Sequence, residues 1–71
     1  MIYLVREIVK YEGESIVCAT SNLEFAKECF EKQKEKSKRY DDVWVELSCL
    51  DEQTYYGNIE YKTMLDSRNE L

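Results

Sequence analysis

The middle of the chain carries one amphipathic segment between stretches rich in β-branched and aromatic residues, and this order constrains the fold. Advancing roughly 100° per residue from Leu23, apolar side chains fall in one half-circle and charged ones in the other. The apolar half holds Leu23, Phe25, Ala26, Cys29 and Phe30. The pattern predicts a helix over 22–37 that packs against a neighbouring layer through this stripe.

The two ends of this helix carry their own signals. The stretch Ser21-Asn22-Leu23-Glu24 has capping-box spacing, which predicts Ser21 as the N-cap and Glu24 reaching back to it. Basic side chains suit the negative end of the helix dipole. The last turns and the end of the helix supply Lys34, Lys36, Lys38 and Arg39.

The first twenty residues predict a β-hairpin over 2–20. Residues 2–10 and 15–20 are rich in strand-forming types, and Gly13 between them can close a type I turn with a bulge. That register sets Lys10 opposite Glu14, Ile8 opposite Ile16 and Arg6 opposite Cys18. A two-residue Glu12-Gly13 loop is the alternative, and it shifts the pairing by one position.

The second half of the chain predicts further strands. Apolar residues alternate over 43–50, which places Val43, Val45, Leu47 and Cys49 on one face. Another strand is expected at about 54–64, and a frayed tail at 66–71. The order ββαββ predicts one α+β domain over 1–71, an antiparallel sheet of about four strands with one amphipathic helix packed on one face.

Both faces of the predicted hairpin are apolar, although a single helix covers one face. One face is predicted to carry Ile2, Leu4, Ile8, Ile16 and Cys18, and the other Tyr3, Val5, Val9, Val17 and Ala19. A half-exposed antiparallel sheet normally alternates apolar and polar residues. We therefore expect a cover on the second face: the C-terminal segment, a second copy or a partner. The alternative is that Tyr55–Met64 or a strongly coiled sheet hides it.

Charge is unevenly distributed along the chain. Residues 1–31, 32–40 and 41–71 carry net charges of −3, +4 and −6, which give −5 for the whole. Two acidic ends make a poor general nucleic-acid binder and suit a basic protein surface better. The basic run Lys32–Arg39 is explained most simply by lysines that complement the helix dipole. A weaker alternative is that this run, together with Tyr40, contacts single-stranded nucleic acid.

The residue types disfavour catalysis. The chain has no His, the commonest general base. Its three cysteines, Cys18, Cys29 and Cys49, match no zinc spacing and sit among apolar neighbours, which predicts inert thiols. The acidic pairs at 41–42 and 51–52 are explained by turns more simply than by Mg²⁺ or Ca²⁺. We expect no catalytic residue, no metal and no cofactor.

The start of the chain predicts a cytoplasmic protein. Met-Ile-Tyr-Leu-Val is followed at once by Arg6 and Glu7, which is too short an apolar run for a signal-peptide core or a membrane span.

The chain resembles the very short α+β proteins encoded in phage genomes and other mobile elements. The features that carry the resemblance are the opening Met-Ile-Tyr-Leu-Val-Arg, the helix entry at 21–26 and the Lys/Glu-rich helix end. Some of these proteins are anti-defence proteins, including anti-CRISPR inhibitors, which are typically small and acidic and block a host effector. The resemblance implies a cytoplasmic host protein as partner, with a nucleic-acid-binding defence effector as one class.

Function is therefore expected to lie in protein binding without catalysis, as an inhibitor or adaptor. Aromatic anchors ringed by charge are common in interfaces. The predicted contacts are Tyr3, Glu7, Trp44, Glu46, Tyr55 and Tyr56. The alternative from another class is a homodimeric structural module whose second sheet face or edge strand pairs with itself.

Overall fold

The computed structural model describes residues 1–50 and 62–69, which form one antiparallel sheet with one helix packed against it. The elements are β1 (Ile2–Val9), β2 (Gly13–Thr20), α1 (Leu23–Ser37), β3 (Val43–Leu50) and β4 (Lys62–Asp66). The strand order in the sheet is β2-β1-β3-β4. The predicted α+β fold and its ββαββ order are confirmed, and β3 has the predicted bounds. Of the strand predicted at about 54–64, residues 54–61 lie outside the described part of the chain.

The hairpin closes in a register that neither sequence-based alternative predicted. Val9 pairs with Gly13, so three residues form the loop, and the Glu12 amide donates to the Val9 carbonyl at 3.0 Å. Tyr11 has φ 68° and Gly13 has φ 111°. Both predicted registers were wrong because Tyr11 takes the left-handed conformation, which lets the chain reverse earlier and makes Gly13 the first residue of β2.

A β-bulge in β2 then redistributes its side chains between the two faces. Val5 pairs with Cys18 but Arg6 pairs with Ile16, which leaves Val17 as the extra residue. Cys18 therefore lies on the helix face beside Val5, while Ile16 lies on the opposite face. The prediction that Ile16 and Cys18 share a face was wrong, because the bulge breaks the simple alternation between them.

The core lies between the helix and one face of the central strands. Fully buried side chains from both layers meet there: Val5, Ala26, Phe30, Val45 and Leu47. Cys49 is also buried, so the alternation predicted for β3 is confirmed. Leu23 and Cys29 of the predicted helix stripe pack against this core, whereas Phe25 is 50% exposed.

The helix begins one residue later than predicted. Asn22 is the N-cap, and its side-chain oxygen accepts from the Phe25 amide at 3.1 Å. The Asn22 amide donates to the Thr20 hydroxyl at 3.0 Å. The predicted Ser21 capping box is corrected, since Asn22 holds the extended backbone (φ −97°, ψ 109°) that the capping position requires.

The face away from the helix is more polar than predicted, and its centre is buried. Leu4, Arg6 and Ser48 lie there between core-facing neighbours, and Arg6 is 8% exposed. The expectation of two continuous apolar hairpin faces is corrected, because Arg6 interrupts the apolar row. Residues 55–61, offered by the sequence as a cover, lie outside the described residues.

The end of the described chain is held to β3. The Ser67 amide donates to the Val45 carbonyl at 2.9 Å, and the Val45 amide donates to the Ser67 hydroxyl at 3.0 Å. The Asn69 amide donates to the Asp66 carbonyl at 3.0 Å. Asp66 itself belongs to β4. The frayed tail predicted from 66 is thus ordered by hydrogen bonds through 69.

Candidate protein-binding site

Strand β2 forms an exposed edge of the sheet in the described part of the chain. Among the described strands β2 pairs with β1 alone, and six of its eight residues are exposed. Ile16 is 58% exposed and Val17 is 44% exposed. An edge strand offers backbone donors and acceptors to another chain, and apolar side chains add contact area.

One apolar side chain of the helix flanks the same edge. Phe25 lies one helical turn before Cys29, on the same side of the helix. Cys29 of the helix and Cys18 of β2 both pack against the same core cluster, which places this side of the helix over the edge strand. We call the surface formed by Ile16, Val17 and Phe25 the β2 side.

The thiol of Cys18 is unsuited to nucleophilic chemistry. Burial, then the hydrogen bond and charge interaction with Cys29, raise the pKa of Cys18 to about 11. The thiolate is the reactive form of cysteine, and a raised pKa keeps the thiol protonated near neutral pH. The pair therefore fits packing between α1 and β2.

A charge network occupies the sheet face away from the helix. The Arg6 guanidinium lies 2.7 Å from the Glu14 carboxylate and 3.5 Å from that of Glu46, and it donates to the Ser48 hydroxyl at 3.1 Å. A buried guanidinium requires such partners, because an uncompensated charge in the interior is strongly unfavourable.

Glu46 is held from several directions. Its carboxylate accepts from the Trp44 indole and from the Thr63 hydroxyl, both at 3.0 Å, and its side chain is only 13% exposed. The Arg68 guanidinium lies 3.9 Å from it. These contacts hold Glu46 in place.

Arg68 closes the edge of this network. It stacks over the Trp44 ring at 4.1 Å from the centroid and pairs with the Asp66 carboxylate at 2.7 Å. Hydrogen bonding from Arg68 lowers the pKa of Asp66 below its ordinary value, and the same contact raises the pKa of Arg68. Trp44 and Arg68 are therefore mutually ordered.

The four predicted contact residues that the structure describes do not share one face of the sheet. Tyr3 and Glu7 lie on the helix face, where Tyr3 packs against the core and Glu7 accepts a hydrogen bond from Gln33. Trp44 and Glu46 lie on the opposite face, within the charge network. Tyr55 and Tyr56 are outside the described residues. Their role in binding a partner stays a prediction, but the four described residues are split between the faces.

Sequence reasoning missed the β2 side as a site. It assigned Ile16 to a broad sheet face and Phe25 to the buried helix stripe. Strand order decides which strand is an edge, and the bulge decides which side chains stand there. A strand with an unbroken apolar run from Ile16 to Ala19, and with Glu14 as its one charge, was the available signal.

A basic groove runs beside the end of the helix. Its volume is about 240 Å³, and its lining includes Lys34, Lys38, Tyr40, Trp44 and Arg68. Each cation already faces a carboxylate, as in Lys34 with Glu31, Lys38 with Glu35 and Arg68 with Asp66. These pairs reduce the positive field that a phosphate would meet.

The described residues contain no cluster of three or more His, Cys, Asp or Glu side chains arranged to hold a metal ion. Within the same residues, the one helix is neither long enough nor apolar enough to cross a membrane.

Comparison with known proteins gives no relative: no family model matches the chain, and neither the curated proteins nor the solved structures contain a match.

Proposed function

We propose that this chain acts without catalysis by binding another protein, and that the β2 side is its binding surface. The observation that supports this is an exposed edge strand with two apolar side chains, Ile16 and Val17, flanked by Phe25. Exposed apolar surface of this kind commonly marks protein contacts. The expected mode is strand addition, in which backbone hydrogen bonds supply affinity and side chains on both faces supply specificity.

The partner class follows from the resemblance to small phage proteins. Some of these proteins block host effectors, so a host protein is the proposed target and inhibition the proposed outcome. The acidic balance of the chain suits a target with a basic surface, as nucleic-acid-binding effectors have.

The test is capture from host lysate with matched variants at the two sheet edges. Ile16→Glu places a charge on the β2 side, and Met64→Glu places the same charge at β4, where Met64 is also exposed. We expect the wild type and Met64→Glu to retain the same protein and Ile16→Glu to lose it. If Ile16→Glu captures as well as the wild type, the β2 side is not the binding surface.

Direct nucleic-acid binding is the rival function, and the groove with Tyr40 and Trp44 favours it to a limited degree. Because its cations are paired with carboxylates, we propose that it does not bind single strands. Fluorescence anisotropy with a labelled oligonucleotide at low salt tests this. Binding that weakens steadily with added salt would contradict the proposal.

A further inference from the structure

The solvent-facing surface of the helix carries a row of four charged residues beside the β2 side. Glu24, Glu28, Lys32 and Lys36 are spaced four residues apart and all are exposed. Residues at this spacing form one row along a helix. The row borders Phe25, Cys29 and Gln33, of which Cys29 contacts β2. None of the four forms an ion pair with another described residue.

The order of charges in this row, two acids and then two bases, is self-complementary. When two copies of the helix run antiparallel about a twofold axis, Glu24 faces Lys36 of the other copy and Glu28 faces Lys32. Symmetry doubles each contact, which gives four opposite-charge pairs and no like-charge pair within the row. The centre of this pattern falls at residue 30, the midpoint of α1.

The edge strand fits the same axis. Because Cys29 contacts Cys18, the middle of the helix is level with the middle of β2. Antiparallel self-pairing of β2 centred on Val17 places Glu14, the single charge of the strand, opposite Thr20. Like charges directly opposed would destabilise such a pair, and here there are none.

Spacing explains why charged side chains rather than apolar ones would meet between the helices. The helix packs on β1 and on both of its neighbours, so the distance between the two β1 strands approximates the distance between the helices. In the joined sheet three strand spacings separate β1 from its copy, about 14 Å in all. Helices in direct contact lie about 8–10 Å apart. Long Glu and Lys side chains can span this wider gap.

Protection of the edge is incomplete. Natural edges are blunted by Lys, Pro, bulges or inward charges. β2 has no Lys and no Pro, and its protecting devices are the bulge at Val17 and the single charge of Glu14, which is paired with Arg6. The net charge of −5 on each copy opposes association at long range, so the contact depends on local complementarity of the kind that this row supplies.

From these observations we infer that the occupant of the β2 side is a second copy of this chain. β2 pairs antiparallel with its copy, and the solvent-facing rows of charged residues on the two helices run alongside each other in reverse order. This inference rests on the proposed binding surface: in the free chain a second copy occupies the β2 side, and a host protein would have to displace it.

The test is sedimentation of the full chain from about 1 µM to about 500 µM, because mass action moves a dimer equilibrium with concentration. We expect the wild type to dimerise. Glu28→Lys and Lys32→Glu each set like charges together and should weaken the dimer about tenfold. The double exchange E28K/K32E restores the pairing and should recover the wild-type dissociation constant within about threefold.

Glu31→Lys is the matched control. It changes the net charge as much as Glu28→Lys, but Glu31 pairs with Lys34 away from this row. We expect its dimer to match that of the wild type. A monomeric wild type, equal loss in Glu31→Lys, or no recovery in the double exchange would overturn the inference.

The sedimentation result also separates this inference from the proposed function. The bait in the lysate capture is kept below the concentration at which it dimerises. An edge strand can pair with one strand at a time, so a dimer would hide the edge from a host protein. One outcome is a monomeric wild type that captures a host protein, with capture lost in Ile16→Glu. This outcome contradicts the inference that a second copy occupies the β2 side, and it supports the proposed function. The other outcome is a dimer that captures no host protein. This outcome supports the inference that a second copy occupies the β2 side, and it contradicts the proposal of a host partner.

Discussion

Arg6 lies buried on the sheet face away from the helix because two carboxylates and a hydroxyl meet its guanidinium there. Glu46 depends on it in turn, since the side chain of Glu46 is also largely removed from water. Removing one member of a buried ion pair leaves the other charge uncompensated, which costs more than the pair itself contributes.

Arg6→Met should therefore lower the free energy of unfolding by about 3 kcal/mol. Urea denaturation followed by circular dichroism measures this. Arg39→Met is the control: Arg39 is exposed and forms no ion pair with a described residue, so its loss should change stability by less than about 0.5 kcal/mol. Equal effects of the two substitutions would show that the Arg6 network does not contribute to stability.

Asp66 gives the fold a defined acid sensitivity. Its pKa is lowered by the hydrogen bond from Arg68, and its side chain is 11% exposed. A carboxyl group whose pKa is lower in the folded state stabilises the fold above its unfolded pKa of about 4, and this contribution is lost as the pH falls.

Asp66→Asn should flatten the fall in the urea midpoint below about pH 4. Glu35→Gln is the matched control, because the pKa of Glu35 is also lowered, by its hydrogen bond with Lys38, but both side chains are well exposed. Solvent screening makes that pair contribute little. If both variants keep the wild-type pH profile, Asp66 is not a source of the acid sensitivity.

At the scale of elements, the two adjacent polar residues at the start of the helix differ in role: Asn22 caps the helix and Ser21 does not. Asn22→Ala removes the side chain that caps the Phe25 amide and should destabilise the fold by about 1 kcal/mol. Ser21→Ala should cost less than about 0.5 kcal/mol, since Ser21 is exposed and not the cap. Thermal unfolding of both variants compares them, and a larger effect at Ser21 would restore the capping box that the sequence suggested.

Elements with a strong local period were predictable from the sequence. The alternation over 43–50 gave β3 its bounds, and the helix was misplaced by a single residue. The hairpin register was not predictable, because it depends on a left-handed Tyr11 and on a bulge at Val17. Neither Tyr nor Val is a residue type that predicts such a conformation. Each register shift of one position moves the side chains that follow to the opposite face of the sheet.

The candidate site was harder to predict than the elements. Which strand forms an edge follows from the order β2-β1-β3-β4, and this order is set by contacts between distant parts of the chain. Glu46 and Trp44 were expected to face a partner, but hydrogen bonds within the chain occupy them. Exposure depends on the assembled sheet, and a residue type alone does not determine it.

At the scale of the whole molecule, the charge network and the β2 side have different roles. The charge network crosses the sheet face away from the helix, from Glu14 on β2 through Arg6 on β1 to Glu46 and Arg68, and it stabilises the fold. The β2 side keeps the apolar side chains of Ile16, Val17 and Phe25 exposed. Val17 and Phe25 take no part in this network, so altering them should leave the fold intact and makes stability and association separable by mutation.

Amide hydrogen exchange of β2 as a function of protein concentration tests the central claim, that a second copy occupies this edge. Within 14–19, we expect exchange of the amides that point away from β1 to slow about tenfold or more between dilute and concentrated wild type, because pairing with the second copy protects them. In Ile16→Glu these rates should not depend on concentration, and in both proteins β4 should exchange at constant rates. Exchange in β2 that is the same at every wild-type concentration would contradict the account.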